Sequence, residues 1–566
     1  MLPVSAWETL LLFIALGLFI TVVFGNYIAK VFDDQPVFLT PVLGPLEKLM
    51  LKLGGTAAPE TMAWRTYAKS FILFNLSCGI FMFFILRFQN LLPLNPLHFA
   101  GMEPWQTFNT VCSFMTNTNW QSYSGEQSIS NLSQMMAIAF SMIIGGGSGL
   151  VVCIALLRGL TNRPLGHFYQ DFVRTLLYVF MPVMILGSVF FISQGMPQTL
   201  HQQVVVKTVE GATQNIAMGP VASLLTIKQF GTNGGGFFNA NSAHPFENPT
   251  PLSNFVEILL EVAIPMALVY TFGRWLNDKK QAWIIWGSMM LLFLLSFGVA
   301  FGFEQWGNPI LSHLGVDPTF GNLEGKEMRF DMMQNMLFTT ATTATSTGAV
   351  NNMHDSLTPL AGATTIWNMM LNTIFGGVGV GLMGFLLYGI IAVFLTGLMV
   401  GRTPEIFGKK IEKSEIILAS IAILLHPLII LLPTAISAVT PMGVSSLNNL
   451  GPHGFSEMLY AFTSAAANNG SAFAGLNANT PWYNISIGII ILLGRYISVI
   501  ALLAIVGSLL SKPKVEAGPG TLRTDTFLFA TVWLSVILIV GALTFVPALV
   551  LGPVAEHLQM LAGTLY

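Results

Sequence analysis

The stretch Thr345-Ser346-Thr347-Gly348 decides the fold, because three similar polar stretches recur at nearly even spacing along an otherwise apolar chain. The three are Thr116-Asn117-Thr118-Asn119, Thr232-Asn233-Gly234-Gly235 and Ala467-Asn468-Asn469-Gly470. Each follows an apolar piece that is too short to cross a bilayer, and each is flanked by two segments that are long enough. This arrangement predicts a four-fold pore, with one loop from each quarter of the chain. The short pieces, interpreted as re-entrant pore helices, lie near residues 105–115, 220–231, 332–344 and 456–466.

The four polar stretches form a candidate potassium-binding filter. Potassium gives up its water only where several oxygens replace it at similar distance, and converging loops supply rings of backbone carbonyls, to which threonine hydroxyls can add. At the fourth position, Gly235, Gly348 and Gly470 would tolerate a positive φ. Asn119 takes that place in the first repeat, and asparagine is the next most tolerant residue. We expect K+ as the transported ion, bound at the filter residues only, with no organic cofactor and no catalytic residue. The filter residues are Thr116, Asn117, Thr118, Asn119, Thr232, Asn233, Gly234, Gly235, Thr345, Ser346, Thr347, Gly348, Ala467, Asn468, Asn469 and Gly470.

Composition places the chain in a lipid bilayer. Of its 566 residues, 53% are hydrophobic and 9% are charged, and the mean hydropathy is +0.68. Soluble domains carry roughly a quarter charged residues. The formal net charge of −2 and the scattered basic residues give no sign of a nucleic-acid partner. The three cysteines show neither metal-ligand spacing nor a disulfide framework. The first apolar run has no basic segment before it and no clear cleavage site, so we interpret it as a retained helix.

Ten segments are long enough to span, which predicts an all-α polytopic membrane protein with ten transmembrane helices and four fused span–pore helix–span repeats. The spans are expected near 7–29, 67–89, 131–158, 174–195, 253–275, 282–304, 364–400, 414–438, 482–510 and 525–550. The predicted division is 1–60 for the first helix and its cytoplasmic loop, 61–165, 166–280, 281–405 and 406–512 for pore repeats one to four, and 513–566 for the tenth helix.

Basic residues are concentrated in alternate loops. The loops after the first, third, fifth, seventh and ninth spans hold most of them, Arg402 included, whereas the opposite loops hold only Lys207, Lys228, Lys326 and Arg329. Because basic residues are retained on the cytoplasmic side, we expect both termini and all four filters to face the outside.

Two features are candidates for a barrier below the filter. The seventh span is interrupted by Gly376-Gly377-Val378-Gly379-Val380-Gly381, and we expect Gly377 and Gly379 to distort the helix beneath the filter, with close helix packing as the alternative. Arg495 lies deep in the ninth span, where a buried charge usually marks a cavity or an ion path. Beneath the filter it would repel a descending cation. The alternative is an ion pair with an interfacial carboxylate that serves packing alone.

Other patterns limit the chemistry. Each filter is followed by a polar loop that we expect to brace it by side-chain bonds to the backbone, with ordinary loop capping as the alternative. Pore helices that end at the filter would turn their partially negative ends toward a cation. His244, His354 and His453 show no metal-ligand spacing. The chain contains neither a phosphate-binding loop ending in Gly-Lys-Ser/Thr nor an Asp-Lys-Thr-Gly phosphorylation sequence, so no route to ATP hydrolysis is readable.

Several of these stretches resemble a known family. The run from Thr116 to Gln121, the run from Thr232 through Asn248-Pro249-Thr250, and Ser464 to Phe473 are similar to the potassium-binding subunits (KdpA) of Kdp-type bacterial potassium ATPases. The resemblance covers essentially the whole chain, including the first and tenth helices. It implies a place in a bacterial plasma membrane, in a complex with a P-type ATPase subunit and two small membrane subunits. It also implies that the chain selects potassium outside and passes it to the pump subunit.

Three functions are compatible with membrane spans and polar loops of this kind. The favoured one is a non-catalytic, ion-selecting subunit of an ATP-driven, high-affinity potassium importer. A stand-alone potassium transporter, driven by the membrane potential or a co-ion, is the second. A structural scaffold without a permeation path is the third, and the four matched filters argue against it. A P-type ATPase that co-purifies with the chain would separate the first from the second.

Overall fold

A computed structural model describes residues 6–56, 60–401, 404–515 and 523–564. Within these ranges ten helices are long and apolar enough to cross a membrane, as the sequence predicted. Arg402, one of the basic residues used for the orientation, lies outside the described ranges. The spans are Ala6–Phe32, Trp64–Arg87, Asn131–Leu160, Phe168–Ser193, Pro251–Leu276, Lys279–Trp306, Val380–Val400, Lys413–Val439, Pro481–Leu510 and Phe527–Leu561.

The seventh predicted span, 364–400, is two helices rather than one. Pro359–Leu371 ends at Asn372, which adopts a left-handed conformation with φ of 48°. Val380–Val400 begins after Gly379, whose φ is 116°. The intervening segment is not helical, so the predicted interruption by glycines is confirmed, and the membrane span proper begins only at Val380.

Four shorter helices stand at the predicted places of the pore helices. Each of these helices ends at the residue before its filter. Asp331 caps the start of the third one by accepting a hydrogen bond from the amide of Gln334, as short polar side chains at this position commonly do. The pore helices are Pro104–Met115, Val221–Phe230, Met332–Ala344 and Gly451–Ala466.

The third and fifth spans form the centre of the bundle and are mostly buried, whereas the first, second, eighth and tenth spans expose most of their apolar side chains. The first span packs against the fifth at Gly25, where a β-carbon would lie 2.6 Å from the carbonyl oxygen of Ala267. The tenth span packs against the seventh through Trp533, whose indole donates to the carbonyl of Phe385 at 2.8 Å. The two helices outside the repeats therefore cover the second and third repeats.

Several short elements were not predicted. An antiparallel hairpin pairs Gln203–Lys207 with Thr213–Ala217, with Gln203 opposite Ala217. A smaller hairpin pairs Glu405–Ile406 with Lys409–Lys410. The helix Thr40–Leu53 occupies the loop after the first span. The remaining short helices are Gln89–Leu91, Gly125–Ser128, Asn241–Ala243, Pro309–His313, Pro318–Phe320, His354–Ser356 and Pro441–Val444.

Candidate ion-binding filter

One backbone hydrogen bond recurs in all four filters and sets their register. The amide of the third filter residue donates to a carbonyl in the last turn of the pore helix, at 2.8 to 3.0 Å. Because the same bond closes the same turn each time, the residues that make it occupy equivalent positions. The donor and acceptor pairs are Thr118 with Ser113, Asn233 with Lys228, Thr347 with Thr342, and Asn469 with Ser464.

This register corrects the prediction for the second repeat. Its pore helix ends at Phe230, so the filter begins at Gly231 and its fourth residue is Gly234, not Gly235. Gly234 has the positive φ, 82°, whereas the φ of Gly235 is not positive. The prediction failed by one residue because the stretch Gly234-Gly235-Gly236 offers three glycines in a row, and only the end of the helix shows which one occupies the turn.

The fourth position has a left-handed backbone in every repeat, as predicted for Asn119, Gly348 and Gly470, whose φ values are 58°, 93° and 99°. The second position shares this conformation, although its residues are Asn117, Thr232, Ser346 and Asn468, with φ between 48° and 64°. Left-handed conformations are costly for residues with a β-carbon. Their recurrence in four unlike sequences indicates one common backbone shape.

The four filters pack side by side in chain order. A β-carbon on Gly234 would collide with the carbonyl oxygen of Thr347, and one on Gly348 with that of Asn469. One on Gly470 would likewise collide with the carbonyl oxygen of Thr118. The ring closes between the first and second repeats, where a β-carbon on Gly235 would lie 2.9 Å from that of Asn119. The fourth-position glycines therefore allow the second, third and fourth filters each to lie against a backbone carbonyl of the next.

Asparagine side chains join neighbouring filters. Asn117 donates to the carbonyls of Gly231 and Thr232 at 3.0 and 2.9 Å, which links the first repeat to the second. Asn469 donates to the carbonyl of Thr342 at 3.0 Å and so links the fourth repeat to the third. These bonds hold backbone carbonyls in place without a charged group at the filter itself.

Threonine hydroxyls line up within two of the filters. The hydroxyls of Thr116 and Thr118 lie 2.8 Å apart, and those of Thr345 and Thr347 lie 2.7 Å apart. The fourth repeat has Ala467 at its first position and instead links its Asn468 amide to the hydroxyl of Thr118 at 2.9 Å. The four filters thus share a backbone shape but differ in the side chains that support it.

A cavity of about 460 Å³ lies above the filter, and its wall includes all four fourth-position residues. The polar loops that follow the filters also line it and brace the filter, as predicted. Gln121 exchanges two hydrogen bonds with the backbone of Gly236, at 2.9 and 3.1 Å. Asn241 donates to the carbonyl of Gly234 at 2.8 Å. The filter therefore opens into a polar cavity on this face.

The glycine-broken segment lies directly below the third filter. The amide of Gly377 donates to the carbonyl of Thr345, the first filter residue. Ser346 donates to the side-chain oxygen of Asn372, at the start of the same segment, at 3.0 Å. The alternative of helix packing alone does not account for these two bonds, because they require a segment that has left the helix.

Gly379, within this segment, and Arg495, in the ninth span, both pack against the third span, Asn131–Leu160. A β-carbon on Gly379 would collide with the side chain of Cys153, in the third span. The guanidinium of Arg495 reaches the backbone of Gly149, and Arg495 is 5% exposed. Among the described residues, no carboxylate forms an ion pair with Arg495. The described residues therefore give no support to the alternative that Arg495 forms an ion pair that serves packing alone.

A smaller cavity, of about 110 Å³, lies beneath the filter. Asn468 of the fourth filter, Asn372 of the broken segment and Arg495 contribute to its wall. The remaining wall is mostly apolar and comes mainly from the seventh, eighth, ninth and tenth spans. The site thus changes from polar and roomy above the filter to narrow and mostly apolar below it.

Two buried ion pairs and one partly buried ionic group around the filters were not predicted. Lys228 pairs with Glu247 at 2.7 Å, and Lys326 pairs with Glu304 at 2.5 Å; all four side chains are nearly inaccessible. His453 lies between Asp355 and Glu556, at 3.1 and 2.7 Å, and near Glu457. The sequence offered one hint, since Lys228 and Lys326 are two of the few basic residues on the filter side. Their partners lie 19 or more residues away along the chain, so spacing alone could not pair them.

His453 is charged in this arrangement. Burial disfavours the imidazolium, but hydrogen bonds and charge interactions with Asp355 and Glu556 outweigh that effect and raise the pKa of His453 to about 10. His354 behaves in the opposite way, since burial lowers its pKa to about 3 and leaves it neutral. Its ring nitrogen lies 2.8 Å from the hydroxyl of Tyr460. The two histidines therefore serve as hydrogen-bonding partners on the filter face.

A family model described as the potassium-transporting ATPase A subunit matches residues 11–558. The chain belongs to this family. Its relatives include the potassium-transporting ATPase potassium-binding subunits of Alicyclobacillus acidocaldarius, Allorhizobium ampelinum and Granulibacter bethesdensis. They are 50%, 48% and 46% identical to it, over 95%, 97% and 100% of this chain and 96%, 99% and 100% of their own length.

The fold is also found in a solved structure. The potassium transporter TrkH from Vibrio parahaemolyticus superposes with a TM-score of 0.50 at 14% sequence identity, over 86% of this chain and 96% of that one. At this identity the likeness concerns the fold alone. It agrees with the predicted all-α architecture of spans and pore helices.

Proposed function

We propose that this chain is the potassium-binding and translocating subunit of an ATP-driven, high-affinity potassium import complex. It takes K+ from the outside through the four-loop filter and passes it to a P-type ATPase subunit that hydrolyses ATP. Fifteen of the sixteen predicted filter residues, with Gly231 in place of Gly235 in the second repeat, supply the oxygens that replace the ion's water. Gly377, Gly379 and Arg495 form the barrier below them.

The observation that carries this proposal is the closed ring of four filters. Backbone carbonyls of Thr118, Thr347 and Asn469 each lie against the fourth residue of a neighbouring filter. Four loops of one backbone shape around one axis are what a cation needs in place of its hydration shell. The names of the relatives, which are potassium-binding subunits, support K+ as that cation.

Partners, domains and orientation complete the proposal. The complex contains the ATPase subunit and two small membrane subunits in a bacterial plasma membrane. The chain divides into a first helix with its loop, 1–60, pore repeats 61–165, 166–280, 281–405 and 406–512, and a tenth helix, 513–566. Both termini and the filter face lie outside, because the loops of the opposite face carry most of the basic residues.

The function is tested on the purified complex. We expect ATPase activity that rises with K+ and saturates at low concentration, and little K+ flux through this chain alone in liposomes. Flux that is robust and selective without any ATPase partner would instead establish the stand-alone transporter. Absence of any K+ dependence in the complex would contradict the proposal altogether.

The orientation is tested separately, with exposed positions on the two faces. Val209 lies at the tip of the longer hairpin, and Ser511 follows the ninth span. With the three native cysteines replaced, Val209→Cys should react with an impermeant thiol reagent added outside intact cells, and Ser511→Cys should react only after lysis. The reverse pattern would place the filter face in the cytoplasm.

A further inference from the structure

The second repeat carries a buried lysine where the other repeats carry a hydroxyl residue. Three residues before each filter stand Ser113, Lys228, Thr342 and Ser464. In the third and fourth repeats this hydroxyl accepts a hydrogen bond from the amide of the fourth filter residue, Gly348 or Gly470, at 3.0 Å. A lysine ammonium cannot accept a hydrogen bond, so the second repeat must be supported in another way.

The ammonium of Lys228 has a full set of partners. It donates to Glu247 at 2.7 Å, to the hydroxyl of Ser242 at 2.8 Å, and to the side-chain oxygen of Asn241. These are as many bonds as its three protons can make. The second oxygen of Glu247 accepts from the amide of Phe238 at 2.7 Å. Lys228 and Glu247 are both fully buried, and the ammonium and both carboxylate oxygens of this pair have partners, which restricts the two side chains.

Lys228 holds the filter from two sides. Its backbone carbonyl accepts from the amides of Asn233 and Gly234, at 2.8 and 3.2 Å. Its ammonium orients Asn241, whose amide donates to the carbonyl of Gly234 at 2.8 Å. The oxygen of Asn241 also lies 3.4 Å from the amide of Val350, just after the third filter. The peptide group before Gly234 is thus bonded to the backbone of Lys228, and the peptide group after it is bonded to Asn241, the partner of the Lys228 ammonium.

The charge of Lys228 is cancelled locally. An unpaired ammonium beside a cation path would repel the ion, and an unpaired buried charge is costly in itself. Glu247 removes the net charge, so the cluster can act on the filter through geometry instead of through its field. Gly234 has no side chain that could restrict the orientation of its own peptide groups. A hydrogen bond from another residue, here Asn241, can therefore fix the direction of its carbonyl.

We propose that Lys228, Glu247 and Asn241 form a positioning cluster that determines ion specificity at the second filter. The cluster holds the Gly234 carbonyl in a fixed orientation, so that the ring keeps the size that suits K+ and rejects Rb+ and Na+. This inference rests on the proposed function, since it assumes that the filter binds K+. The other three repeats hold their filters with neutral groups, so the second repeat is the stiff quarter of the ring.

The test compares K+ with Rb+ as activators of the ATPase in the complete complex. Asn241→Ala keeps the ion pair and removes only the link to Gly234. We expect the ratio of the half-saturating Rb+ concentration to that of K+ to fall by about fivefold, the size of one ordinary hydrogen bond. The double variant Lys228→Met/Glu247→Gln, which leaves no unpaired charge, should lose discrimination to the same extent. Glu247→Gln alone should raise both half-saturating concentrations together, because it leaves a bare ammonium beside the ion.

Gln198→Ala is the matched control. Gln198 exchanges hydrogen bonds with Ser223 at the other end of the same pore helix, at 2.9 and 3.0 Å, and does not reach the filter. Its loss should leave the Rb+ to K+ ratio unchanged even if the melting temperature falls. An unchanged ratio in Asn241→Ala would overturn the inference.

Two further results have a clear interpretation. If the Asn241→Ala chain does not assemble into the complex, the Asn241→Asp variant is measured instead. It keeps the shape of the side chain but places an oxygen against the Gly234 carbonyl. An unchanged Rb+ to K+ ratio in this variant also overturns the inference. If the unaltered complex shows no K+ dependence, the proposed function fails first and the inference fails with it. A K+-selective wild type with an insensitive Asn241→Ala variant contradicts the positioning cluster alone.

Discussion

The second and third repeats solve the same problem with different parts. After the second filter, the span Pro251–Leu276 is a continuous helix, and the filter is held from the side by a buried lysine. After the third filter, the helix breaks between Leu371 and Val380, and the loosened segment holds the filter from below through Gly377. The pseudo-symmetric ring therefore rests on asymmetric supports. Repeats of one backbone shape could thus take on separate tasks, and we propose specificity for the second and closure for the third.

The largest expected effect concerns the filter glycines that both repeats share. Gly234→Ala and Gly348→Ala each place a β-carbon against a neighbouring carbonyl and strain a left-handed backbone, which costs about 1–2 kcal/mol before the collision is counted. We expect the half-saturating K+ concentration of the ATPase to rise by more than about tenfold, since each 1.4 kcal/mol is a factor of ten. Gly235→Ala tests the corrected register and should be clearly milder. Equal damage at Gly234 and Gly235 would restore the register read from the sequence.

The next effect concerns the broken segment, which only the third repeat has. Gly379→Ala introduces a β-carbon at a φ of 116° and pushes it into Cys153. We expect a loss of coupling between transport and hydrolysis, and a melting temperature lowered by an overpacking cost of about 1–3 kcal/mol. Gly298→Ala is the control, because a β-carbon there meets open space on a continuous helix. A Gly379→Ala variant as active as Gly298→Ala would show that the break has no role in closure.

Arg495→Gln tests the barrier itself. Removing a positive charge that no described carboxylate neutralises should let K+ leak through the reconstituted chain, or uncouple the complex, by several-fold rather than completely, because the narrow apolar cavity remains. Gly149→Ala, which crowds the guanidinium without removing it, should give a smaller change of the same kind. Potassium flux into liposomes measures both. An Arg495→Gln variant that neither leaks K+ nor loses coupling would show that Arg495 is not part of the barrier, and that the broken segment alone closes the path.

The smallest effect concerns His453, in the first turn of the fourth pore helix, and its carboxylate partners Asp355 and Glu556. The raised pKa of His453, about 10 against 6.5 in the unfolded chain, means that its ion pairs stabilise the protein fully below about pH 6.5 and lose that contribution as the pH rises through 10. The difference in melting temperature between wild type and His453→Gln should therefore shrink from pH 6.5 to pH 10. A difference that grows over this range would contradict the charged state of His453.

The sequence predicted the ten spans and four pore helices because length and hydropathy are local properties. It also located the filters, and it found the fourth-position turn in three repeats, because glycine or asparagine there stands alone. The turn of the second repeat was placed one residue too late, because the sequence alone does not distinguish among the consecutive glycines Gly234, Gly235 and Gly236. Arg495 was recognised as a buried charge from its position in an apolar span. That no described carboxylate pairs with it could not be predicted from the sequence.

By itself, then, the amino-acid sequence determined the class, the repeat pattern and the approximate place of the four candidate filter loops. The tertiary structure alone decided the register of the second filter, the pairing of Lys228 with Glu247, and the contact of Gly377 with the base of the third filter. The physical reason is that these three features depend on where a helix ends and on which groups meet across distant segments. Periodicity along a chain records which residues are buried, but it does not record their partners.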